Sequence, residues 1–348
     1  MQFQPLQIIQ LVITLFSVML SLNVAASQAG WRMINVPPTP PQDAAIPVAL
    51  YYPTQAPARP IVMGPFTANV AAGSAPEATF KGLIVLSHGT GGTELGHSSL
   101  AEALARHGYL VAALRHPGDN WQDRSLLAIS AQRYFTDRPQ HVSRVIDGLL
   151  ANPEWASRIA KDAQGPRIGA VGHSAGGYSV LALAGAQPDL SRLTAHCASQ
   201  RAADPIFCSI GASSAPASNS PTPVVGAPVV IPTLTDGRVR AVVAMTPLGV
   251  LLSPDSLAKV SVPTAIYQAD QDRFLVPRFH AQWVASQVAG AALRRVKNAG
   301  HFAFMDTPSM PIMSEDGDIG SNPPGFDRGL FLQQLGRELP AFFDKAWP

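Results

Sequence analysis

The chain has 348 residues, of which 47% are apolar and only 14% are charged. This length and composition suit one large folded domain, and they exclude both a small disulfide-stapled module and a disordered chain. The 25 Lys and Arg residues nearly balance the 23 Asp and Glu residues and form no basic run. The charge pattern therefore argues against a nucleic-acid partner.

The first 29 residues carry no charged side chain and include an apolar stretch from Leu6 to Leu22. Small residues follow this stretch, an order typical of a signal peptide that is cleaved after Ala26 or Ala29. The alternative is an uncleaved membrane anchor, which needs about 20 apolar residues. No later stretch is apolar and long enough to span a bilayer. The sequence therefore predicts an exported protein, periplasmic or secreted, with no stable membrane span after cleavage.

The rest of the chain alternates between strand and helix patterns. In chain order, the predicted strands are Ile46–Tyr52, Gly82–Leu86, Tyr109–Leu114, Arg167–Val171, Val239–Met245, Thr264–Tyr267 and Leu293–Val296. The predicted helices are Ser98–His107, His141–Leu150, Ser174–Ala186, Phe279–Val288 and Gly329–Leu339. Such an alternation predicts an α/β fold with a mostly parallel sheet that helices cover on both faces.

Two stretches interrupt this alternation. Residues 37–80 are rich in Pro, Ala and Gly, and we expect the early antiparallel strands there. Residues 188–237 form a connection longer than a compact domain normally contains, which predicts a lid, a binding loop or a mobile segment. The sequence shows no internal repeat and no clear second domain. We therefore expect a leader over residues 1–29 and one domain over residues 30–348.

The two cysteines, Cys197 and Cys208, both lie in the 188–237 connection. In an exported protein, an even number of cysteines favours a disulfide bond. The alternative is a pair of buried thiols. A zinc site is not expected, because only His196 lies close by and the chain has no further cysteine.

The segment Gly172–Gly176 reads Gly-His-Ser-Ala-Gly and fits the pattern G-x-S-x-G. It follows a predicted buried strand and precedes a predicted helix, which is the context of a nucleophile elbow. The glycines suit a sharp turn that leaves no room for β-carbons. Ser174 is therefore the candidate nucleophile, at a helix N-terminus where the dipole favours negative charge. The alternative is an ordinary serine N-cap.

A second glycine-rich loop, Ser87–Gly92, follows the predicted strand Gly82–Leu86. Such a loop can direct a backbone N–H towards an oxyanion. The second donor would be the N–H of Ala175, the residue after the candidate nucleophile. The alternative is a plain turn between a strand and a helix. His88 in this loop and His116 after the next strand are interpreted as structural histidines.

The candidate acid and base follow Ser174 in the chain, which is the order found with nucleophile elbows. Asp270 and Asp272 lie just past the predicted strand Thr264–Tyr267. Asp272 is preferred, because an acid loop of this kind often reads Gly-x-x-Asp with a proline a few residues later, and Asp270 is the alternative. His301 lies in a loop after the last predicted strand, which makes it the candidate base.

Together these motifs resemble those of the α/β-hydrolases, specifically an exported group similar to dienelactone hydrolase and platelet-activating-factor acetylhydrolase. The matching segments are Tyr52–Thr54, Leu86–Gly92, His116–Gly118, Gly172–Gly177, Gly300–Phe302 and Pro324–Arg328. The resemblance covers nearly the whole chain after the leader. It implies the α/β-hydrolase fold and the hydrolysis of an ester, and it assigns the oxyanion-hole amides to Thr90 and Ala175.

The sequence thus predicts a serine hydrolase that cleaves carboxylic esters through an acyl-enzyme, with Ser174, Asp272 and His301 as its triad. The expected partner is a small-molecule ester, and no cofactor or metal ion is needed. One alternative is amide or peptide hydrolysis, or acyl transfer, on the same residues. Another is a hydrolase-fold binding protein without activity. The acidic cluster Glu315–Asp318 is interpreted as solvated surface, because it lacks the Gly and Glu positions of a calcium-binding loop.

Overall fold

The computed structural model of the protein describes residues 27–38, 44–210 and 231–347. Residues 1–26 of the predicted leader and residues 211–230 of the long connection lie outside the described residues. Among the described residues, no helix combines the length and the apolar character needed to cross a membrane.

A ten-stranded sheet forms the centre of the described chain, and two further pairs of short strands lie outside it. In chain order the strands are β1 (Gln28–Val36), β2 (Ile46–Thr54), β3 (Arg59–Met63), β4 (Phe66–Ala72), β5 (Leu83–Ser87), β6 (Leu110–Leu114), β7 (Lys161–Asp162), β8 (Gly165–Pro166), β9 (Ile168–His173), β10 (Val239–Met245), β11 (Thr264–Ala269), β12 (Ala292–Val296), β13 (Met313–Ser314) and β14 (Gly317–Asp318). The central sheet has the order β12-β11-β10-β9-β5-β6-β2-β1-β4-β3, while β7 pairs with β8 and β13 with β14.

The sheet has a parallel half and a mostly antiparallel half. The six strands from β12 to β6 in the sheet order are parallel. β2 is antiparallel to β6 and to β1, β4 is parallel to β1, and β3 is antiparallel to β4. The early antiparallel strands expected within residues 37–80 are therefore present. The sequence analysis does not predict β1, whose first two residues, Gln28 and Ala29, fall within the predicted leader.

Ten α-helices lie within the described residues. They are α1 (Ser98–Arg106), α2 (Ser125–Ile129), α3 (Ala131–Ala151), α4 (Pro153–Ala156), α5 (Ala175–Leu183), α6 (Leu190–Gln200), α7 (Phe207–Ile210), α8 (Pro254–Leu257), α9 (Ala281–Gln287) and α10 (Arg328–Ala346). Two short 3₁₀ turns lie at Pro277–Phe279 and His301–Phe304.

Helices cover both faces of the sheet, as β5 illustrates. Leu83 and Val85 belong to the core cluster that also contains the apolar sides of α3 and α5. Ile84 and Leu86 point the other way and belong to the cluster formed with α1 and α10. Because successive side chains of a strand face opposite sides, a fully apolar strand such as β5 requires a helix layer on each side. The predicted fold class, a mostly parallel sheet with helices on both faces, is confirmed.

Helix α3 is ten residues longer at its N-terminal end than the sequence predicts. It begins after Ser130, whose hydroxyl accepts a hydrogen bond from the Arg133 amide at 3.3 Å. Pro139 lies inside the helix, where it removes one backbone hydrogen bond and would normally end the element. Tyr134 and Phe135, both buried, anchor the extra turns. Tertiary packing thus outweighs the local preference of proline.

Candidate active site

Ser174 occupies the sharp turn between β9 and α5. Its φ is 57° and its ψ is −117°, a conformation that costs an L-residue free energy. Two glycines make the turn possible: a β-carbon on Gly172 would lie 2.0 Å from the carbonyl oxygen of Gly176, and one on Gly176 would lie 2.0 Å from that of Ser87. The Ser174 side chain makes no capping hydrogen bond to the helix. Ser174 thus occupies the N-cap position of α5 without using its hydroxyl as a cap.

Asp272 and His301 lie together after β11 and β12. The Asp272 Oδ1 atom accepts hydrogen bonds from the amides of Phe274 at 2.9 Å and Leu275 at 2.7 Å. Its Oδ2 atom is 2.8 Å from His301 Nδ1. With the imidazole proton on Nδ1, the lone pair of His301 Nε2 is on the opposite edge of the ring. Ser174, Asp272 and His301 are all buried.

The alternative acid, Asp270, has Arg295 and Gln268 as its side-chain partners. Its two carboxylate oxygens lie 3.1 and 3.2 Å from the guanidinium of Arg295 on β12. The side-chain amide of Gln268 donates a further bond to Oδ1 at 3.0 Å. The structure therefore brings Asp272 against His301 and pairs Asp270 with an arginine instead.

Two neighbours that the sequence analysis missed hold the His301 side chain and backbone. The ring of Phe274 stacks on the imidazole, with centroids 4.8 Å apart and planes 17° apart. His173 Nε2–H donates to the His301 carbonyl oxygen at 2.9 Å. Burial holds the pKa of His173 well below its usual value, and the nearby His301 lowers it further, so His173 is neutral. His173 is the variable residue of the G-x-S-x-G pattern, which gave no signal for this contact.

The loop after β5 lies directly beside Ser174. A β-carbon on Gly89 would lie 3.2 Å from the Ser174 Cβ atom, a tight contact that shows how closely the loop approaches the candidate nucleophile. Among the hydrogen bonds of the described residues, none uses the backbone N–H of Thr90 or of Ala175. These are the two donors that the resemblance assigns to an oxyanion hole.

Buried polar side chains fix the shape of this loop. The Thr90 hydroxyl and the Tyr134 hydroxyl are 2.6 Å apart, and the Gly91 amide donates to Asp119 Oδ1 at 2.8 Å. Arg138, which is fully buried, donates to Asp119 and to the His88 carbonyl oxygen. A buried charge of this kind needs its partner, because an unpaired ion in the interior is costly. Arg138 therefore ties α3 to the loop after β5 through the His88 carbonyl and to the loop after β6 through Asp119.

A row of buried histidines lies beneath the same loop. His88 Nδ1–H donates to the Gly89 carbonyl at 2.6 Å, and His88 Nε2 accepts from the His116 amide at 3.2 Å. The Nδ1 atom of the His116 ring lies 3.2 Å from the Nδ1 atom of His141. Burial lowers the pKa of His88 to about 4 and that of His141 to about 3, so both are neutral at pH 7. Their hydrogen bonds are those expected of structural histidines.

Two cavities meet at Ser174. The first, here called the histidine-side cavity, has a volume of about 370 Å³ and is lined by His97, His173, His301 and the residues around them. The second, the apolar cavity, has a volume of about 470 Å³. Its lining includes Leu127, Phe135, Leu193, Phe207 and Leu248. Ser174 is part of the wall of both cavities.

Cys197 and Cys208 form a disulfide bond in the structure, with Cα atoms 5.3 Å apart. The bond joins α6 to α7, and both cysteines line the apolar cavity. Within the described residues, no group of three His, Cys, Asp or Glu side chains is placed to hold a metal ion.

The chain is similar to known hydrolases in sequence pattern and in fold. A model of the alpha/beta hydrolase family matches residues 84–311. The fold is similar to that of a ferulic acid esterase from Streptomyces cinnamoneus, with 20% identity, 92% of this chain and 89% of that chain covered, and a TM-score of 0.57. It is also similar to a dienelactone hydrolase from Anabaena variabilis, with 14% identity, 91% and 98% of the two chains covered, and a TM-score of 0.50. No curated protein matches the chain.

Proposed function

The chain belongs to the alpha/beta hydrolase family, and we propose that it is a serine hydrolase that cleaves carboxylic esters through an acyl-enzyme intermediate. The observation that carries the proposal is the buried Asp272–His301 hydrogen bond of 2.8 Å, in a site whose cavity wall also contains Ser174. The fold alone would not support it, since this fold hosts many functions.

The proposed reaction begins when Ser174 Oγ attacks the ester carbonyl and His301 Nε2 takes its proton. Asp272 keeps the other ring proton on Nδ1 and stabilises the imidazolium. The amides of Thr90 and Ala175 donate to the oxyanion, and each such donor contributes about 3–4 kcal/mol in comparable sites. His301 then protonates the leaving alcohol. Water attacks the acyl-enzyme, gives its proton to His301, and Ser174 regains a proton as the acid leaves.

Labelling with a fluorophosphonate tests the proposed nucleophile. The wild-type protein should be labelled on the peptide that contains Ser174 and should hydrolyse p-nitrophenyl esters. Ser174→Ala should abolish the label and lower turnover by about 10⁶-fold, because removing a triad nucleophile has that effect in comparable enzymes. Ser179→Ala, a control in the same helix, should keep both properties, since the Ser179 hydroxyl only bonds the Ala175 carbonyl.

Wild-type turnover by Ser174→Ala would overturn the mechanism. An unlabelled wild-type protein that hydrolyses no ester would favour the binding-protein alternative. Preferential transfer of the acyl group to added alcohol, or faster cleavage of amides than of esters, would identify the other two reactions.

We also propose that the protein is exported as one hydrolase domain and that its leader ends at Ala26. The disulfide bond supports export, since such bonds persist in oxidising compartments. Ala29 is buried in β1 and pairs with Pro53, so cleavage after Ala29 would remove two residues of a paired strand. N-terminal sequencing of the exported protein should therefore begin at Ser27.

A further inference from the structure

The two cavities at Ser174 differ in one respect that bears on the substrate. Thr90, Ser174, Ile210 and Phe274 line both of them. His301 lines the histidine-side cavity and is not part of the wall of the apolar cavity. An ester bound with its carbonyl carbon at Ser174 would extend one group into each cavity.

We propose that the apolar cavity holds the acyl group of the substrate and the histidine-side cavity holds its alcohol, an inference that rests on the serine-hydrolase function above. The reason is the path of the proton. When the tetrahedral intermediate collapses, the bond to the alcohol oxygen breaks and that oxygen must take a proton from His301 Nε2. The alcohol must therefore lie on the side where His301 is accessible.

The same geometry accounts for the second half of the reaction. After the alcohol leaves, water must donate a proton to His301 while its oxygen attacks the acyl carbon. The vacated histidine-side cavity gives water that position, and the acyl group remains in the other cavity throughout. One residue, His301, thus serves both half-reactions from one side of Ser174.

The lining of the apolar cavity selects the chemical class of the acyl group. Its polar side chains, other than Ser174, are engaged within the protein. Thr90 and Tyr134 bond each other at 2.6 Å, Thr194 donates to the Leu190 carbonyl at 3.3 Å, and Arg201, an exposed side chain, donates to the Cys208 carbonyl at 2.7 Å. The remaining wall is apolar. The cavity therefore suits an apolar acyl group larger than acetyl, such as a medium alkyl chain or an aromatic ring.

One wall of this cavity is the described part of the predicted lid. Leu193 and Cys197 come from α6, and Phe207 and Cys208 from α7. The disulfide bond closes this wall into a loop. Because this wall bounds the apolar cavity, its side chains determine the length of the acyl group that the cavity can hold.

Buried Asp204 fixes the wall relative to the acid loop. Its Oδ2 atom lies 2.9 Å from Nε2 of His196 in α6. It also lies 2.9 Å from Nε2 of His280, a residue that follows the loop containing Asp272. Asp204 is fully buried, so both contacts are shielded from solvent. Asp204 thus links the wall of the apolar cavity to the segment that follows the proposed triad acid.

A matched pair of variants tests the assignment of the two cavities. Leu193→Trp narrows the apolar cavity, and Ile312→Trp narrows the histidine-side cavity; both residues are half-buried aliphatic side chains that line only one cavity. The substrates are p-nitrophenyl esters from acetyl to octanoyl and benzoyl, and acetyl esters of alcohols of increasing size. Both series are measured as kcat/KM.

We expect Leu193→Trp to lower kcat/KM for octanoyl and benzoyl esters at least about tenfold more than it lowers kcat/KM for the acetyl ester. Ile312→Trp should leave the ratio of octanoyl to acetyl activity unchanged and should lower kcat/KM for acetyl esters of bulky alcohols more than for those of small alcohols. The cavity assignment would be overturned if Ile312→Trp changed the preference for acyl length and Leu193→Trp changed the preference for alcohol size. It would also be overturned if Leu193→Trp did not change the preference for acyl length. Neither result would contradict the serine-hydrolase function.

A second measurement uses only the wild-type protein and covers a failure of Leu193→Trp to fold. Alkyl fluorophosphonates of increasing chain length are attached to Ser174, and the rate at which dithiothreitol reduces the Cys197–Cys208 bond is followed. A long chain in the apolar cavity should slow reduction several-fold relative to a methyl adduct. Equal rates for all adducts would overturn the proposal. Absence of both labelling and ester hydrolysis would overturn the serine-hydrolase function and this inference together.

Discussion

The two oxygens of the Asp272 carboxylate have different partners, which gives one a structural role and the other its proposed role in the reaction. Oδ1 holds the amides of Phe274 and Leu275, and Oδ2 holds His301. An asparagine at this position can keep the two amide contacts through its carbonyl oxygen. Its NH₂ group would then face His301 Nδ1 and force the imidazole into the other tautomer.

Asp272→Asn should therefore lower kcat about 10⁴-fold without unfolding the protein, as wrong-tautomer variants do in comparable triads. Asp270→Asn is the matched control and should stay close to wild-type turnover, because Asp270 pairs with Arg295. Steady-state kinetics with thermal melts measures both effects. The opposite ranking of the two variants would assign the acid to Asp270.

Gly176 offers a test of the turn itself. A β-carbon there would lie 2.0 Å from the Ser87 carbonyl oxygen, and neither backbone segment can move without shifting β5 or α5. Gly176→Ala should lower the free energy of unfolding by about 3 kcal/mol or more. Gly329→Ala, in helix α10, meets only Asp327 at 3.5 Å and should stabilise the protein by about 0.5–1 kcal/mol. Urea denaturation compares them, and equal stabilities would contradict the steric argument.

For individual residues, the sequence predicts the candidate triad, whose members follow strand ends. It does not predict the residues that hold the triad and the neighbouring loop in place. Ser174, Asp272 and His301 each follow a strand of the parallel half, and parallel strands bring these ends to one edge of the sheet. Their proximity is therefore readable from chain order. Phe274 and Arg138 are not readable in this way, because their contacts depend on how loops and α3 pack across the sheet.

At the scale of elements, the sequence predicts the buried parallel strands and misses elements within the long connection. The predicted strand Val239–Met245 has the same bounds as β10. A continuous apolar run of this length is typical of a strand that is buried on both faces in the centre of a parallel sheet. Helix α6 has one buried residue, His196, while Leu190, Leu193 and Cys197 pack against the core and remain partly exposed. The disulfide bond and the contact of His196 with Asp204 also hold this helix.

The α6–α7 link yields a prediction about stability. The bond between Cys197 and Cys208 closes a loop with a sequence separation of 11, and chain-entropy arithmetic gives such a loop about 3 kcal/mol as an upper value. A Cys197→Ser, Cys208→Ser double variant should melt at a lower temperature, and Ser174 should still be labelled by a small fluorophosphonate. The exported, denatured and unreduced wild-type protein should show no free thiol. Two titratable thiols there would contradict both the bond and the case for export.

At the scale of the whole molecule, buried neutral histidines couple folding to pH. Burial lowers the pKa of His88 and His97 to about 4 and that of His141 to about 3, and it also lowers the pKa of His116, His173 and His280. In the unfolded chain these groups bind protons near pH 6.5. The unfolded state therefore gains protons first as the pH falls, and the free energy of unfolding decreases between pH 6.5 and about 4.

Each such histidine contributes up to about 1.4 kcal/mol per pH unit in this window. Asp306 acts in the opposite direction, since burial raises its pKa to about 6, and it offsets about one histidine. Because a domain is stable by only about 5–15 kcal/mol, we expect acid unfolding above pH 4. His97→Gln should reduce the slope of unfolding free energy against pH, whereas the exposed His107→Gln should not. A flat profile from pH 7 to 4.5 would contradict the prediction.

The order of strands in the central sheet also determines when the chain can fold during synthesis. β5 lies between β6 and β9, and β9 pairs on its other side with β10, which is far later in the chain. A polypeptide that leaves the ribosome from its N-terminus must extend past residue 245 before these pairings are complete. Long-range pairings of this kind form slowly and leave earlier strands unpaired in the meantime. The centre of the sheet is therefore incomplete until residue 245 has left the ribosome, an order of assembly that would suit the export proposed above.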